Sequence, residues 1–334
     1  MFDTETEESA VRGAPGGDSP QHVPVLADSV VELLRGLTPG LLSGWIVDGT
    51  VGLGGHAERV LEALPDARVL GSDRDPEALE HARKRLARFG DRVKLVRARH
   101  SELARVVREE LPERPAAFLF DLGVSSMQLD LAERGFSFQS DGPLDMRMDP
   151  GLDRTAADIV NHWDERDLAD LFYYEGGETR SRAAARAIVE ARRRAPFLRT
   201  GALADTIARA FGGISGRVHP ATLVFQALRR AVNQESEELA AALGAAERSL
   251  ADGGRLLVIS FHSGEDGVVK RFLSGLARAG RFTLLTKKPI EADQQERRAN
   301  PRSRSARLRA AVRVRGEVPG DAVVEVPLAR EGRP

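Results

Sequence analysis

The stretch Trp45-Ile46-Val47-Asp48-Gly49-Thr50-Val51-Gly52-Leu53-Gly54-Gly55-His56 constrains this chain more than any other. Trp45, Ile46 and Val47 form an apolar run of the kind found in parallel sheets covered on both faces. Gly49, Gly52, Gly54 and Gly55 let the backbone take positive φ and let a ligand approach without a Cβ in the way. From Ala57 to Leu64 the composition turns helical, and Pro65 ends it. Strand, glycine loop and helix in this order make a small-molecule cradle at the carboxyl end of a sheet strand.

The loop is not GxGxxG, because Gly55 follows Gly52-Leu53-Gly54 and the third glycine is missing from its place. A pyrophosphate wants bare helix N–H groups and positive potential, and Asp48 at the strand end would repel it. A cationic ligand suits that carboxylate better. S-adenosylmethionine offers an ammonium and a sulfonium and has no phosphate. A second apolar run, Val69-Leu70-Gly71-Ser72-Asp73, ends in an acid placed where a ribose diol is usually held. Only an acceptor-only side chain suits both hydroxyl protons of that diol. Arg74 and Asp75 beside it read as surface and cap residues. A tight turn is the bland reading of one glycine loop, but Asp48 and Asp73 together point to a nucleoside-type cofactor.

A chain of 334 residues has ample core for about two domains. The net charge of −1 says nothing about nucleic acid, but its distribution does. Residues 1–20 carry a net −4, whereas residues 286–315 carry a net +7. Such asymmetry hints at a polyanion partner. With no cysteine there are no disulfides, thiolate metal sites or cysteine nucleophile. The N-terminus lacks a basic and apolar leader, and no run approaches about 18 apolar residues. A soluble cytoplasmic protein without membrane contact is the expectation.

Along the chain, helices are expected at 28–37, 57–64, 76–89 and 102–111, alternating with strands at 45–48, 69–73, 93–96 and 116–120. That βαβ alternation predicts an α/β fold with a mostly parallel sheet and right-handed crossovers. The alternation then lapses into short amphipathic helices (about 155–160, 164–174, 179–194 and 201–211), followed by one or two long helices over 223–249. Arg255–Ser260 resumes the sheet with a helix at 264–279, and 282–285 and 305–314 read as an antiparallel edge pair. The expected organisation is a disordered acidic tail 1–20, a discontinuous cofactor-binding domain 21–128 and 225–316, an all-helical insertion 129–224, and a C-terminal tail 317–334.

Further motifs accompany the glycine loop: His22-Val23-Pro24-Val25-Leu26, Asp73-Arg74-Asp75, Asp121-Leu122-Gly123-Val124-Ser125-Ser126-Met127-Gln128, Arg134-Gly135-Phe136-Ser137-Phe138, Gly142-Pro143-Leu144-Asp145-Met146-Arg147-Met148-Asp149, His219-Pro220-Ala221-Thr222, Ser260-Phe261-His262-Ser263 and Asn300-Pro301-Arg302-Ser303-Arg304-Ser305. In this order they closely resemble the bacterial small-subunit ribosomal RNA cytosine-N4 methyltransferases, over about residues 22–315. The resemblance implies a class I (Rossmann-like) methyltransferase fold with an inserted helical domain. It implies S-adenosylmethionine as donor and methylation of the exocyclic N4 of one cytidine in the decoding centre of 16S rRNA. The implied partner is that rRNA within the small ribosomal subunit, and a homodimer is compatible with it. The family's cofactor contacts fall on Gly54, Gly55, His56, Asp73, Asp121 and Gln128, and an adenine-stacking position falls on His100.

Asp48 is expected near the methionine moiety, or else ordering the loop through backbone N–H groups. Asp121 ends the fourth strand, where amino-group methyltransferases place an acceptor beside the target nitrogen. The usual prolines and aromatic after that acceptor are missing, since Leu122, Gly123 and Val124 follow, so the stacking partner stays open. Phe261 or His262 can stack a flipped base, or His262 is a loop residue satisfied by backbone. No His spacing suggests a catalytic metal. Arg182 and Arg186, together with Arg192–Arg194, form either a phosphate-contacting face or a solvated one; Arg302, Arg304, Arg307 and Arg309 are read as RNA contacts. Two rivals stand against a methyltransferase: an NAD-type oxidoreductase, disfavoured by the broken glycine pattern and Asp48, and a catalytically silent RNA-binding assembly factor, disfavoured by the intact cofactor motif.

Overall fold

The computed structural model describes residues 23–214 and 218–315. The expected tails 1–20 and 317–334, and His22, lie outside the described residues. In chain order the helices are α1 (Ala27–Arg35), α2 (Pro39–Leu42), α3 (Gly55–Ala63), α4 (Pro76–Leu86), α5 (Leu103–Glu110), α6 (Ser126–Asp130), α7 (Ala156–His162), α8 (Glu165–Tyr174), α9 (Ser181–Arg192), α10 (Thr200–Ala210), α11 (Thr222–Asn233), α12 (Glu235–Ser249), α13 (Ser263–Arg278) and α14 (Gln294–Ala299). The strands are β1 (Trp45–Asp48), β2 (Arg68–Asp73), β3 (Val93–Arg97), β4 (Ala117–Asp121), β5 (Arg255–Ser260), β6 (Phe282–Leu284) and β7 (Arg307–Arg313).

They form one sheet in the order β3-β2-β1-β4-β5-β7-β6. The pairings from β3 to β5 are parallel, and β7 runs antiparallel between β5 and β6. This is the α/β, Rossmann-like architecture expected of a class I methyltransferase. Side chains alternate across it with period two. Val47, Phe118, Phe120, Leu256 and Val258 pack towards α5, α12 and α13. Ile46, Ala117, Leu119, Leu257 and Ile259 pack towards α1, α3 and α4. Because β1, β2, β4 and β5 are parallel, Asp48, Asp73, Asp121 and Ser260 all end on one edge. The strand order reverses between β1 and β4, which is where such sheets open a crevice.

A third core cluster runs from Phe136 to Val232 and gathers apolar side chains of α7 to α11. The long helical stretch after residue 222 is two helices, broken at Gln234, whose φ of 52° is left-handed. α11 belongs to the third cluster through Val224, Phe225, Leu228 and Val232, while α12 packs on the sheet through Leu239 and Leu243. Of the boundaries that differ from the sequence reading, two have a clear local cause. α4 stops at Leu86 rather than 89, because the next turn tightens and bends at Gly90, φ 55°. β7 starts at Arg307, because Pro301–Ser305 is a 3-10 turn capped by the Asn300 side chain.

Candidate active site

The glycine loop is shaped by what lies behind it. A Cβ on Gly49 would fall 2.3 Å from the Phe120 ring, so the β1 end can lie against β4 only with glycine there. Gly54 takes φ 83° at the entry to α3, a left-handed conformation that favours glycine. The loop is tied across the sheet edge. Thr50 N–H donates to Asp48 Oδ1 (3.2 Å), and Thr50 Oγ1 accepts from Asp121 N–H (2.6 Å). Gly52 N–H donates to Asp73 Oδ2 and Asp75 N–H to Asp73 Oδ1, both at 2.9 Å.

Above this edge opens a cavity of about 480 Å³. One wall is Gly49 to Gly52, Gly55, His56 and Asp73; the others bring Arg74, His100, Asp121, Gly123 and Gln128, then Phe261, His262 and Glu265. A volume of that order suits a nucleoside-sized ligand with room beside it. The polar atoms also fit S-adenosylmethionine. Each Asp73 oxygen has given only one lone pair to a backbone N–H, leaving acceptors for a ribose diol. Asp121 Oδ1 is buried and has no hydrogen-bond partner among the described residues. The carboxyl group as a whole is 20% exposed and lines the cavity, where it can accept from a donor group.

Several sequence expectations are refined. Asp48 is 2% exposed and contributes nothing to the cavity surface, so it does not contact a ligand there directly. His56 lines the cavity, with Nε2 3.4 Å from Asp121 Oδ2, an ion-pair distance without hydrogen-bond alignment. Burial raises the pKa of Asp48 to about 7, against the opposing pull of His56 and the Thr50 N–H; the charges of Asp121 and Asp73 add to the rise. Burial disfavours the His56 proton, but Asp121 and Asp48 outweigh it and hold His56 above its ordinary value. Asp73 is likewise raised by burial, with its two backbone N–H partners working the other way.

His100 lines the cavity, but its ring is already engaged. Nε2 meets Gly49 O at 2.9 Å, and since a carbonyl only accepts, Nε2 carries the proton. The ring stands edge-on to Phe120. Burial and the neighbouring Arg74 charge press its pKa down to about 4, so it is neutral. Gln128 also lines the cavity, yet its Nε2 donates to Asp75 Oδ2 (2.8 Å) and its Oε1 accepts from Ser125 N–H (3.1 Å). Those bonds make it a brace for the loop after β4.

On the far wall, His262 Nδ1 accepts from Glu265 N–H at the start of α13, and Nε2 lies 3.1 Å from Glu265 Oε1. Burial alone would raise Glu265, but His262, the Phe261 N–H and Arg229 keep it below the ordinary carboxylate value. Arg229 is held by Glu235 through two 2.8 Å bonds, and Arg230 by Glu175 at 3.0 Å. Sequence reasoning passed over these wall residues, and also Glu238, which binds both N–H and Oγ of Ser101. Their partners lie on other elements, and no local spacing announces them.

The arginines divide. Arg302 lines the cavity rim and Arg304 is exposed beside it. Arg307 is half-buried and shared between Asp266 (3.7 Å) and Glu291 (3.8 Å). Arg309, expected to meet RNA, is instead buried on β7 with Nε and Nη2 on Asp266 of α13. Arg192 binds the Val160 and Trp163 carbonyls at the end of α7, which makes it structural. Arg182 and Arg186 are exposed on α9, away from the cavity lining, and Arg186 lies 3.6 Å from Glu165. Arg74, expected at the surface, lines the cavity and donates to Asn233 O at the end of α11.

Residues 19–314 match the MraW methylase family. The chain is 49% identical over 318 residues to the ribosomal RNA small subunit methyltransferase H of Methylobacterium sp. (strain 4-46), covering 89% of this chain and 92% of that protein. It is 47% identical over 312 residues to the protein of the same name from Syntrophobacter fumaroxidans, covering 88% of this chain and 97% of that one. A match that spans nearly the whole chain includes the glycine loop, the strand-end acids and the helical insertion together. The chain belongs to the MraW methylase family, and its methyl donor is S-adenosylmethionine.

Proposed function

We propose that this protein methylates the exocyclic N4 of a cytidine in the decoding centre of 16S rRNA, within the small ribosomal subunit. The observation that carries this reading is Asp121, a strand-end carboxylate that lines the cavity with its side chain 20% exposed. The rRNA substrate is supported by the names of the relatives, which are small subunit rRNA methyltransferases.

When bound, S-adenosylmethionine supplies an electrophilic methyl group on a sulfonium that departs as a neutral thioether. Asp73 holds the ribose end, with Gly55 and His56 lining the loop side; Gly54, expected as a contact, lies outside the lining and turns the chain into α3. The amine of cytosine is a poor nucleophile because its lone pair is delocalised into the ring. A carboxylate accepting its N–H helps localise that pair and stabilises the positive charge that develops on nitrogen. Asp121 does this with its carboxylate, which lines the cavity. Phe261 and His262, on the opposite wall, contact the base. A donor at a sheet edge cannot reach a stacked base, so the target leaves its stack. Arg302 at the rim with the exposed Arg304 next to it, and Arg182 and Arg186 on the insertion, hold the RNA backbone, while Arg307 is shared between Asp266 and Glu291.

The test is transfer of label from S-adenosylmethionine to small subunits and to naked 16S rRNA lacking the modification, with nucleoside analysis. N4-methylcytidine is the expected product. A different methylated nucleoside overturns the choice of atom. Donor binding without transfer to either substrate favours a silent assembly factor.

A further inference from the structure

The cavity is lined by two glutamines that differ in what they hold. Gln128 has spent both ends of its amide on Asp75 and Ser125. Gln226, half-buried on α11, lines the cavity with no hydrogen-bond partner for its side chain among the described residues. An amide so placed offers a ligand two N–H donors and an acceptor.

The helix sets where that amide stands. Val224, Phe225 and Leu228 turn into the core of the insertion. Gln226, Arg229 and Arg230, spaced i, i+3 and i+4, therefore share the face that lines the cavity. That face abuts the turn after β5. Arg230 Nη1 is 3.9 Å from the point a Cβ on Gly264 would occupy, and the same point is 3.1 Å from His262 Nδ1. Gln226 stands one turn of helix, about 6 Å, along the face from Arg230. Both arginines are already tied within the protein. Arg229 bonds Glu235 through Nε and Nη2, and Arg230 bonds Glu175 and Ser236. Gln226 is left as the residue on this face without a polar partner.

We propose that Gln226 is a specificity-determining residue that reads the pairing edge of the flipped cytosine, its Nε2–H donating to ring N3 while Asp121 accepts from the neighbouring N4–H. The proposal rests on the N4 reading above. Cytosine presents a donor at N4 and an acceptor at N3 side by side, and an extruded base is read on that edge. An acceptor and a donor set against the two fix the ring in its plane, so the amine meets the methyl group in one orientation. A neutral amide suits the position. A guanidinium on N3 would draw electron density from an amine whose lone pair is already delocalised. Uracil carries a carbonyl at C4, which the Asp121 carboxylate repels, and an N–H at N3.

The experiment is a cycle of two enzymes on two RNAs. 16S rRNA is joined by splinted ligation so that the target position carries cytidine or 3-deazacytidine, which has C–H in place of N3, and is reconstituted into small subunits. Single-turnover rates are measured at saturating donor and subunit, with product nucleosides analysed and donor affinity read by calorimetry. On cytidine, Gln226→Leu is expected to slow transfer about 10- to 100-fold, the loss of one hydrogen bond to a buried acceptor, with donor affinity within about threefold of wild type. On 3-deazacytidine, where that bond is already absent, the same variant is expected to cost no more than about threefold. Gln226→Glu, of the same length but without the donor, repeats the cycle should Gln226→Leu not fold. Equal losses on both RNAs overturn the proposal and make Gln226 a structural residue. A loss of donor affinity overturns it in favour of a donor contact. If wild type yields a nucleoside other than N4-methylcytidine, the N4 reading itself fails; N4-methylcytidine with equal losses on both RNAs sinks the Gln226 assignment alone.

Discussion

Asp73 and Asp48 end neighbouring parallel strands and do different work because one lines the cavity and the other lies beneath it. Asp73→Ala removes the acceptor for the ribose diol and is expected to weaken donor binding by about 1–3 kcal/mol, read by calorimetry. Unchanged affinity would remove Asp73 from the donor site. Asp48 gives a stability prediction of opposite character. Its pKa rises on folding from 3.8 to about 7, so its contribution to stability is full below about pH 4 and is lost as pH climbs through 7. Asp48→Asn escapes that loss. It should be more stable than wild type by roughly 1–3 kcal/mol at pH 8, with the advantage vanishing towards pH 4 in denaturant titrations. Equal stability at both pH values would mean that Asp48 is not a buried, poorly compensated acid. Asp73 and Asp121 were legible in the sequence because strand ends and glycines announce themselves locally. That Asp48 lies below the cavity was not legible, since it depends on how β4 and α3 close over it.

The loop 131–150 is braced to the sheet domain by Arg134, beside the Arg97–Asp149 pair at 2.6 Å. Arg134 donates to Asp75 Oδ2 (3.0 Å), to Glu77 (2.8 Å), and to the carbonyls of Arg147 and Met148. Asp75 is fully buried and also caps α4 and binds Gln128. Removing one partner strands the other, so Arg134→Ala is expected to cost about 3 kcal/mol in chemical denaturation. A cost under about 0.5 kcal/mol would show the junction to be no brace. The periodicities of the elements themselves were readable, and α8 coincides almost wholly with its expected range. The brace was not, because its partners stand 59 and 53 residues away in the chain. The seam that joins residues 23–26 to 296–300 was hidden in the same way. Leu26 N–H donates to Glu296 and Asn300 Nδ2 to Val23 O, joining chain segments 270 and 277 residues apart.

For the whole molecule, the net +7 of residues 286–315 resolves into different jobs. Arg309 holds α13 to β7, whereas Arg302 and Arg304 face outward beside the cavity. A run of like charges looks uniform in sequence; only the pairing of Val258 with Arg309 turns one of them inward. Replacing Arg302 and Arg304 together by glutamine should lower the slope of log affinity for RNA against log salt by about 1–2, with donor binding unchanged. An unaltered slope would place the RNA elsewhere. Among the described residues no helix is long and apolar enough to cross a membrane. The account turns on Asp121 as the group that meets the amine, and the measurement that reaches it most directly is the single-turnover rate of Asp121→Ala at saturating donor and RNA. The predicted result is a fall of about 100- to 1,000-fold, with N4-methylcytidine still the residual product. A rate near that of wild type would contradict it.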